Sequence, residues 1–253
     1  MKLLLPIILI FILSQGINAR IDPLRSPELK VLPDSLKTKS LTELSILFNT
    51  DKSPSQHNFI SIYERYFATL QDSMKKFFEI GVFNGASHKM WKCYFPNAEI
   101  YGIDIKPKPW VEQLGINISL ANQGSREDLQ KFVDENVADF DVILDDGSQI
   151  IEHQIIPLGF LFKPLKPGGL YIIEDVHTSI PTFYKEDFGA NEDLSNTTLT
   201  MISNYILTEK INSEFLTEEE IKYLEQNIEY VELSKRKSGM HSTLCVFRKK
   251  ELK

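Results

Sequence analysis

F-D-V-I-L-D-D-G-S-Q, residues 140–149, and L-K-P-G-G-L-Y-I-I-E-D-V-H-T-S, residues 165–179, each contain an apolar run that ends in two adjacent carboxylates. Near-continuous Val, Ile and Leu runs are typical of parallel strands buried on both faces, and ligands bind beyond the carboxyl ends of such strands. The pattern therefore predicts an α/β fold in which two neighbouring strands bring four acids to one edge of a sheet. These acids are Asp145, Asp146, Glu174 and Asp175.

Four carboxylates in one small volume repel each other and hold their protons more tightly, unless a cation or hydrogen-bond donors neutralise them. A divalent metal ion is the simplest explanation for such a cluster. The acids therefore predict a metal site at this edge of the sheet.

Composition favours one main α/β domain and argues against a nucleic-acid-binding protein. The chain has 253 residues and a formal net charge of −7, whereas binding to a phosphate backbone requires clustered Lys and Arg. One tight basic cluster, residues 235–237, is best interpreted as a solvated hairpin turn. Cys93 and Cys245 form no disulfide framework, and we expect both to be buried thiols.

The first 19 residues have the pattern of a cleaved secretory signal peptide. Lys2 precedes an uninterrupted apolar run from Leu3 to Leu13, and small or polar residues end at Ala19. This predicts a secreted or periplasmic protein, with an uncleaved membrane anchor as the alternative. Sequons at Asn117 and Asn196 could accept glycans in a eukaryotic secretory route.

Beyond the signal, the pattern predicts an extended lead-in over residues 20–39 and one domain over residues 40–253. Helices within residues 40–72 would form a cap before the sheet begins. Residues 182–227 carry no strand pattern, and this helical insertion could be a substrate lid or a packed layer without substrate contact. Two β-rich segments at the end of the chain predict an antiparallel hairpin.

The first predicted strand, F-F-E-I-G at residues 77–81, includes Glu79 and leads into a glycine-containing turn. Gly81 and Gly85 allow a tight turn and close approach of a ligand, and the next helix would present free N–H groups. Asp104 ends the second strand at the distance where an acid binds a ribose diol. The sequence lacks G-x-G-x-x-G, which favours a nucleotide cofactor without a pyrophosphate.

A turn follows the predicted third strand at A-N-Q-G-S-R-E-D-L, residues 121–129. Asn122 or Gln123 could hydrogen-bond an adenine edge, and either amide could equally be a turn former. The sequence leaves both interpretations open.

Several motifs together make a specific resemblance between residues 41 and 247. They are N-T-D-K followed by H at residue 57, I-Y-E-R-Y-F, E-I-G-V-F-N-G-A-S, M-W, Y-F-P-N-A-E-I-Y-G-I-D-I, D-D-G-S, P-G-G-L-Y-I-I-E-D-V-H-T-S and F-L-T. The chain resembles the bacterial sugar O-methyltransferases of macrolide and rhamnosyl-polyketide pathways, together with the related cephalosporin hydroxylase group. The resemblance implies a Rossmann-like class I methyltransferase fold, with a seven-stranded, mostly parallel sheet that ends in the antiparallel hairpin.

The resemblance also implies two cofactors, S-adenosylmethionine and magnesium. Carried over residue by residue, the metal ligands are Asp146, Glu174 and Asp175, which agrees with the acid cluster. Asp145 would contact the cofactor or support the turn. The cofactor site would also include Glu79, Gly81, Gly85, Asp104, Asn122 and Gln123.

Gln149 departs from the family pattern, because sugar-active members usually have D-D-G-S-H and this chain has D-D-G-S-Q. That His resembles a general base, whereas a neutral amide orients a hydroxyl but does not accept its proton. His153 or His177 could replace the base, or a metal-bound hydroxyl could ionise to solvent. Asn49 and Asn122 are further departures, where Gly and a carboxylate are usual.

Two hypotheses follow from these residues. The first is a metal-dependent S-adenosylmethionine O-methyltransferase that acts on a hydroxyl of a sugar or another small polyhydroxylated molecule. The alternative is a secreted binding protein with the methyltransferase fold and impaired catalysis. Neither requires nucleic acid or a stable membrane span, and a homo-oligomer is possible.

Overall fold

The computed structural model describes residues 30–136, 139–180, 188–235 and 242–252. In these residues seven strands form one sheet in the order β3-β2-β1-β4-β5-β7-β6. The strands are β1 Lys76–Ile80, β2 Glu99–Asp104, β3 Asn117–Leu120, β4 Phe140–Asp145, β5 Leu165–Ile173, β6 Ile228–Lys235 and β7 Thr243–Lys249. β1 to β5 pair in parallel, whereas β7 lies antiparallel between β5 and β6. This confirms the predicted fold class, including its antiparallel C-terminal hairpin.

The described helices flank this sheet on both faces. They are α1 Leu41–Phe48, α2 Ile60–Phe67, α3 Ala86–Tyr94, α4 Pro109–Glu112, α5 Arg126–Asn136, α6 Ile151–Leu161, α7 Thr198–Thr208 and α8 Glu218–Asn227. A capping box of Ser40 and Glu43 begins α1, as S-x-x-E predicts. Two short 3₁₀ turns, Asp34–Leu36 and Val176–Ser179, complete the described helical segments.

Two buried cores lie on opposite faces of the sheet. One core joins β1 to the N-terminal helices through stacked and edge-on aromatic rings, including those of Phe67, Phe77 and Trp91. The other core packs Phe78 of β1 against Phe132 of α5 and includes the buried residues of α6. Because the side chains of a strand alternate between faces, adjacent residues of β1 serve both cores.

The register of β4 and β5 determines where the acids lie. Asp145 is aligned with Ile173, and the Glu174 N–H donates to the Asp145 carbonyl over 2.9 Å. Asp146 and Glu174 therefore leave adjacent strands at the same edge of the sheet. Alternation places Asp145 on the opposite face, so the four acids divide between two environments.

Other sequence predictions have mixed outcomes. The predicted signal, residues 1–19, and the first half of the extended lead-in, residues 20–29, lie outside the described residues, as do residues 182–187 of the predicted lid. The last part of the lead-in contains a 3₁₀ turn with Leu36 buried, because this side chain reaches the core beneath α1. Both cysteines are buried and free. Among the described helices, none combines the length and apolarity needed to cross a bilayer.

Candidate active site

A cleft lies beyond the carboxyl ends of β1, β2 and β4. One cavity of about 450 Å³ extends over Asp104 and the turn at residues 121–124. A second cavity of about 220 Å³ extends under the loop after α1. Gly81, Phe83 and Asp146 line both cavities, so the two form one continuous cleft. Its position agrees with the general location of ligands in open α/β sheets.

Gly81 allows the backbone of β1 to pass close to β4. Its φ is +89°, and a Cβ built on it would lie 2.2 Å from the Asp146 carbonyl oxygen. Gly85 begins α3 with φ +77°, and its Cβ would meet Val111 at 2.4 Å. Both positions exclude a side chain sterically as well as conformationally, which explains the glycines of the E-I-G-V-F-N-G turn.

Asp104 fastens the β1 turn to the end of β2. Its Oδ2 accepts hydrogen bonds from the N–H groups of Val82 and Phe83, at 3.2 and 3.1 Å, and its Oδ1 accepts from Lys106 N–H at 2.9 Å. Lys108 Nζ lies 3.1 Å from Oδ2. Partial burial acts to raise the pKa of Asp104, but these hydrogen bonds outweigh it and lower the pKa. The carboxylate therefore holds the turn and also lines the larger cavity.

Gln123 is engaged at both ends of its amide. Its Nε2 donates to Asp145 Oδ1 at 3.2 Å and to the His153 carbonyl at 2.8 Å, while its Oε1 accepts from Ser148 N–H at 2.9 Å. Of the two predicted roles, turn formation and contact with an adenine edge, these hydrogen bonds fit turn formation. Asn122 Oδ1 accepts from Gly124 N–H at 3.0 Å, and its exposed side chain borders the larger cavity.

Asp145 supports the turn rather than facing the cleft. It is 2% exposed, and its Oδ1 accepts from Gly147 N–H at 3.2 Å as well as from the Gln123 amide. Burial raises the pKa of Asp145 well above its ordinary value. Asp145 is not among the residues that line the two cavities, so its described contacts favour support of the turn, and cofactor contact stays a prediction.

Glu79 lies fully buried behind the cleft. Its Oε2 accepts from Ser87 Oγ at 2.9 Å and from the Trp91 indole at 3.1 Å. Burial raises the pKa of Glu79 to about 7. His88 Nδ1 lies 3.1 Å from the same oxygen, and burial lowers the pKa of His88 to about 3. Glu79 thus anchors α3 to β1 and contacts the cleft only through its neighbours.

The acid cluster contains Asp146 and Glu174, held by two side chains from the N-terminal segment. The buried Lys52 ammonium contacts Asp146 Oδ2 and lies 3.3 Å from Glu174 Oε1. The Tyr63 hydroxyl donates to the same Glu174 oxygen. Burial disfavours the charged form of Lys52, but the two carboxylates outweigh this effect and raise the pKa of Lys52 well above its ordinary value.

Asp175 lies beside this cluster with its own set of partners. Gln149 Nε2 donates to Asp175 Oδ2 at 2.5 Å, and His57 Nδ1 lies 3.2 Å from Oδ1. His177 Nδ1 is 3.7 Å from Oδ1. Gln149 and Asp175 both have left-handed backbones, with φ of 61° and 54°. The hydrogen bond to Asp175 raises the pKa of His57.

The residues of this cluster suit a hard divalent cation in kind and in charge. Carboxylates of Asp51, Glu79, Asp146 and Glu174 lie within 4 Å of a single ammonium, that of Lys52. Burial raises the pKa of Asp146 to about 7, although the Lys52 ammonium acts to lower it. Oxygen donors are the ligands that magnesium requires.

As the side chains stand, no group of three or more His, Cys, Asp or Glu in the described residues is arranged to hold a metal ion. The reason is visible in the hydrogen bonds, because Lys52, Tyr63 and Gln149 occupy oxygens of the three predicted ligands. The predicted metal ligands therefore lie together, but a cation would have to replace some of these partners.

His153 lies apart from the acid cluster. Its Nδ1 is 2.8 Å from Ser148 Oγ, and its ring borders the larger cavity. It therefore lies beside the expected cofactor cleft, whereas His177 lies next to Asp175. Of the two histidines proposed from sequence as bases, only His177 is near the predicted metal ligands.

Sequence reasoning gave no role to Lys52, His57 or Tyr63. All three lie in motifs noted for the resemblance, N-T-D-K followed by H, and I-Y-E-R-Y-F. Their importance emerges only when the N-terminal segment folds over the edge of the sheet. The sequence signal for this role was Lys52, a lysine within the otherwise turn-like segment after α1.

The fold and the position of the cleft are those of class I methyltransferases, and comparison with a solved structure agrees on the fold. The MycE methyltransferase of the mycinamycin biosynthetic pathway, solved with Mg, S-adenosylhomocysteine and mycinamycin VI, superimposes with a TM-score of 0.68 at 28% sequence identity. The match covers 84% of this chain and 55% of that chain. No family model matches the chain.

The relatives that match this chain in sequence carry the names of O-methyltransferases. The chain is 35% identical over 176 residues to mycinamicin VI 2''-O-methyltransferase of Micromonospora griseorubida, and 33% identical over 177 residues to L-olivosyl-oleandolide 3-O-methyltransferase of Streptomyces antibioticus. These matches cover 66% and 67% of this chain, but only 43% and 46% of the relatives. The chain thus spans less than half the length of these curated relatives. It is a homologue of the macrolide and rhamnosyl sugar O-methyltransferases, as the motifs predicted.

Proposed function

We propose that the chain is an S-adenosylmethionine-dependent O-methyltransferase that uses a divalent cation and acts on a hydroxyl of a sugar or another small polyhydroxylated molecule. The observation that carries this proposal is the position of Asp146. It lines both cavities of the cleft and also belongs to the acid cluster. A methyl donor in the cleft and an acceptor at the acids would therefore meet at this residue.

The residues around the larger cavity suit the cofactor. Asp104 borders it with a carboxylate, Gly81 leaves room for close approach, and the exposed Asn122 side chain lies at its far side. MycE was crystallised with S-adenosylhomocysteine and Mg, which supports the same two cofactors for this chain. Asp146, Glu174 and Asp175 would hold the cation, whose Lewis acidity makes an acceptor hydroxyl more acidic.

The transfer forms an oxygen–carbon bond, breaks the carbon–sulfur bond of the sulfonium, and releases the hydroxyl proton. The protein contributes most by placing donor and acceptor in one geometry in a cleft of fixed charges. Gln149 can orient the acceptor by hydrogen bonding, but its amide cannot take up the proton. His177 and His57 both lie beside Asp175, and either imidazole could take up that proton from an acceptor bound at the acids.

The rival function is binding without turnover, and the observation that favours it is Gln149 in the place of the usual His. Both functions predict that ligands bind, but only the first predicts product. Extracellular export through residues 1–19 stays a prediction from the signal pattern and is independent of the reaction.

Radiolabelled methyl transfer to an extract of glycans and phenolics separates the two functions. Wild-type protein should label an acceptor in the presence of magnesium, and Asp146→Ala should abolish labelling. Glu219→Ala is the matched control, because that carboxylate is 86% exposed on α8. Labelling that persists in Asp146→Ala, or that never occurs with the wild type, would contradict the proposal.

A further inference from the structure

Lys52 is a fully buried lysine whose ammonium lies among the predicted metal ligands. It contacts Asp146 Oδ2 and lies 3.3 Å from Glu174 Oε1 and 3.4 Å from Glu79 Oε1. Its side chain has no exposed surface. An ammonium is rarely buried without compensation, so these carboxylates are its counter-ions.

The loop between α1 and α2 positions Lys52 for this contact. Asn49 ends α1 in the left-handed conformation, Thr50 N–H returns to the Ser45 carbonyl at 3.0 Å, and His57 N–H closes on the Asp51 carbonyl at 2.8 Å. The short closed loop points Lys52 into the sheet edge.

The N-terminal segment formed by this loop and α2 supplies a partner to every predicted metal ligand. Lys52 holds Asp146, Tyr63 holds Glu174, and His57 lies against Asp175. Each of the three acids therefore has a hydrogen-bond or ion-pair partner in the N-terminal segment. Such a match indicates that the segment stabilises the acids when no metal is bound.

A divalent cation and the Lys52 ammonium cannot share these oxygens. The ammonium occupies the space between Asp146 and Glu174, and two like charges within a few ångströms in a buried site repel strongly. Binding of the cation therefore requires the ammonium to withdraw. A flexible four-carbon stem allows such a movement, unlike a rigid guanidinium fork.

We infer that Lys52 is a tethered counter-cation that holds Asp146 and Glu174 together before metal binds and exchanges with the divalent cation. The inference rests on the proposed function, because it assumes that these acids are metal ligands. Its consequence is a site tuned to weak metal binding, since the cation must displace a charge already in place. Lys52 is thus a positioning residue.

The test measures binding of Mn²⁺ by electron paramagnetic resonance of the free ion. Lys52→Met, which keeps the length of the side chain and removes the charge, should bind Mn²⁺ at least about tenfold more tightly than wild type. Lys249→Met is the matched control: that buried ammonium lies on the carbonyls of Phe162, Lys163 and Leu165, away from the acids, and its loss should leave Mn²⁺ affinity unchanged. Lys52→Gln serves as the second variant if Lys52→Met does not fold.

Equal or weaker binding in the Lys52 variant overturns the inference, because Lys52 would then assist the metal or lie apart from it. Tighter binding in Lys249→Met as well overturns its specificity, and no Mn²⁺ binding to either protein overturns it entirely. Calorimetric titration of the same samples with S-adenosylhomocysteine measures the heat of cofactor binding and tests the proposed function separately. Absence of that heat contradicts the methyltransferase, whatever the Mn²⁺ comparison shows.

Discussion

Gln149 Nε2 donates a 2.5 Å hydrogen bond to Asp175 Oδ2, so the residue in the place of the family's usual histidine is fastened to a predicted metal ligand. The left-handed backbone at both residues supports this approach. The pair explains how the loop after β4 stays in place without a histidine. It also indicates that Gln149 orients the Asp175 carboxylate.

Gln149→His should increase the rate of methyl transfer, by about 10²-fold where proton removal limits the rate. Histidine tolerates the left-handed backbone and can still donate to Asp175. The measurement is kcat for the acceptor identified by labelling. Gln149→Asn, a shorter neutral amide, is the control and should give no gain. Equal rates for the two variants would show that a base at this position is not limiting.

Gly81→Ala should lower the free energy of unfolding by more than the same substitution at a left-handed glycine that has free space around the added Cβ. Gly115 has φ +71° and no atom within 4 Å of the Cβ that alanine would add, so Gly115→Ala should cost only about 1–2 kcal/mol from the backbone. At Gly81 the added Cβ meets the Asp146 carbonyl oxygen at 2.2 Å, and the loss should be about 4 kcal/mol or more. Urea unfolding measures both, and equal losses would contradict the close approach.

Asp104 should contribute stability that depends on pH. Its lowered pKa means that the folded chain binds fewer protons at this carboxyl than the unfolded chain does. The contribution is therefore complete above the ordinary value of about 4 and is lost progressively as the pH falls from that value through the lower pKa of the folded chain. Unfolding at pH 7 and pH 3 should show a smaller acid loss in Asp104→Asn than in wild type. An identical loss would mean that the carboxylate does not hold the turn.

Gln123→Leu should unfold more easily, because it takes the amide partner from the Ser148 N–H and the His153 carbonyl and removes one of the two donors to Asp145. Each unsatisfied buried group costs about 1–3 kcal/mol, so a total of about 2–5 kcal/mol is expected in urea. Gln130→Leu, which removes an exposed hydrogen bond to Asp134, should change stability little. If Gln123 instead served an adenine edge, cofactor affinity would fall while stability stayed near that of wild type.

The sheet and the position of the acids could be predicted because both follow from local patterns. Buried parallel strands give continuous apolar runs, and carboxylates that follow such strands lie at the edge of the sheet where the strands end. Because successive side chains of a strand point to opposite faces, the sequence also implies that Asp145 and Asp146 face different sides of the sheet. The role of Asp145 follows only from its partners in the folded chain, Gln123 and Gly147.

The partners of the acids could not be predicted, because they come from distant sequence. Lys52 and Asp146 are 94 residues apart, and Tyr63 and Glu174 are 111 apart. No periodicity or spacing connects such pairs. The choice between adenine contact and turn formation at Gln123 likewise depends on the His153 carbonyl, which only the folded chain brings near.

Calorimetric titration of the folded protein with S-adenosylmethionine, in the presence and absence of magnesium, tests the proposed function most directly. Heat of binding at one site is expected with magnesium, because the cleft and the acid cluster meet at Asp146. Gly81→Ala, if folded, should remove that heat, whereas Gly115→Ala should retain it. No heat from the wild-type protein under either condition would contradict the methyltransferase.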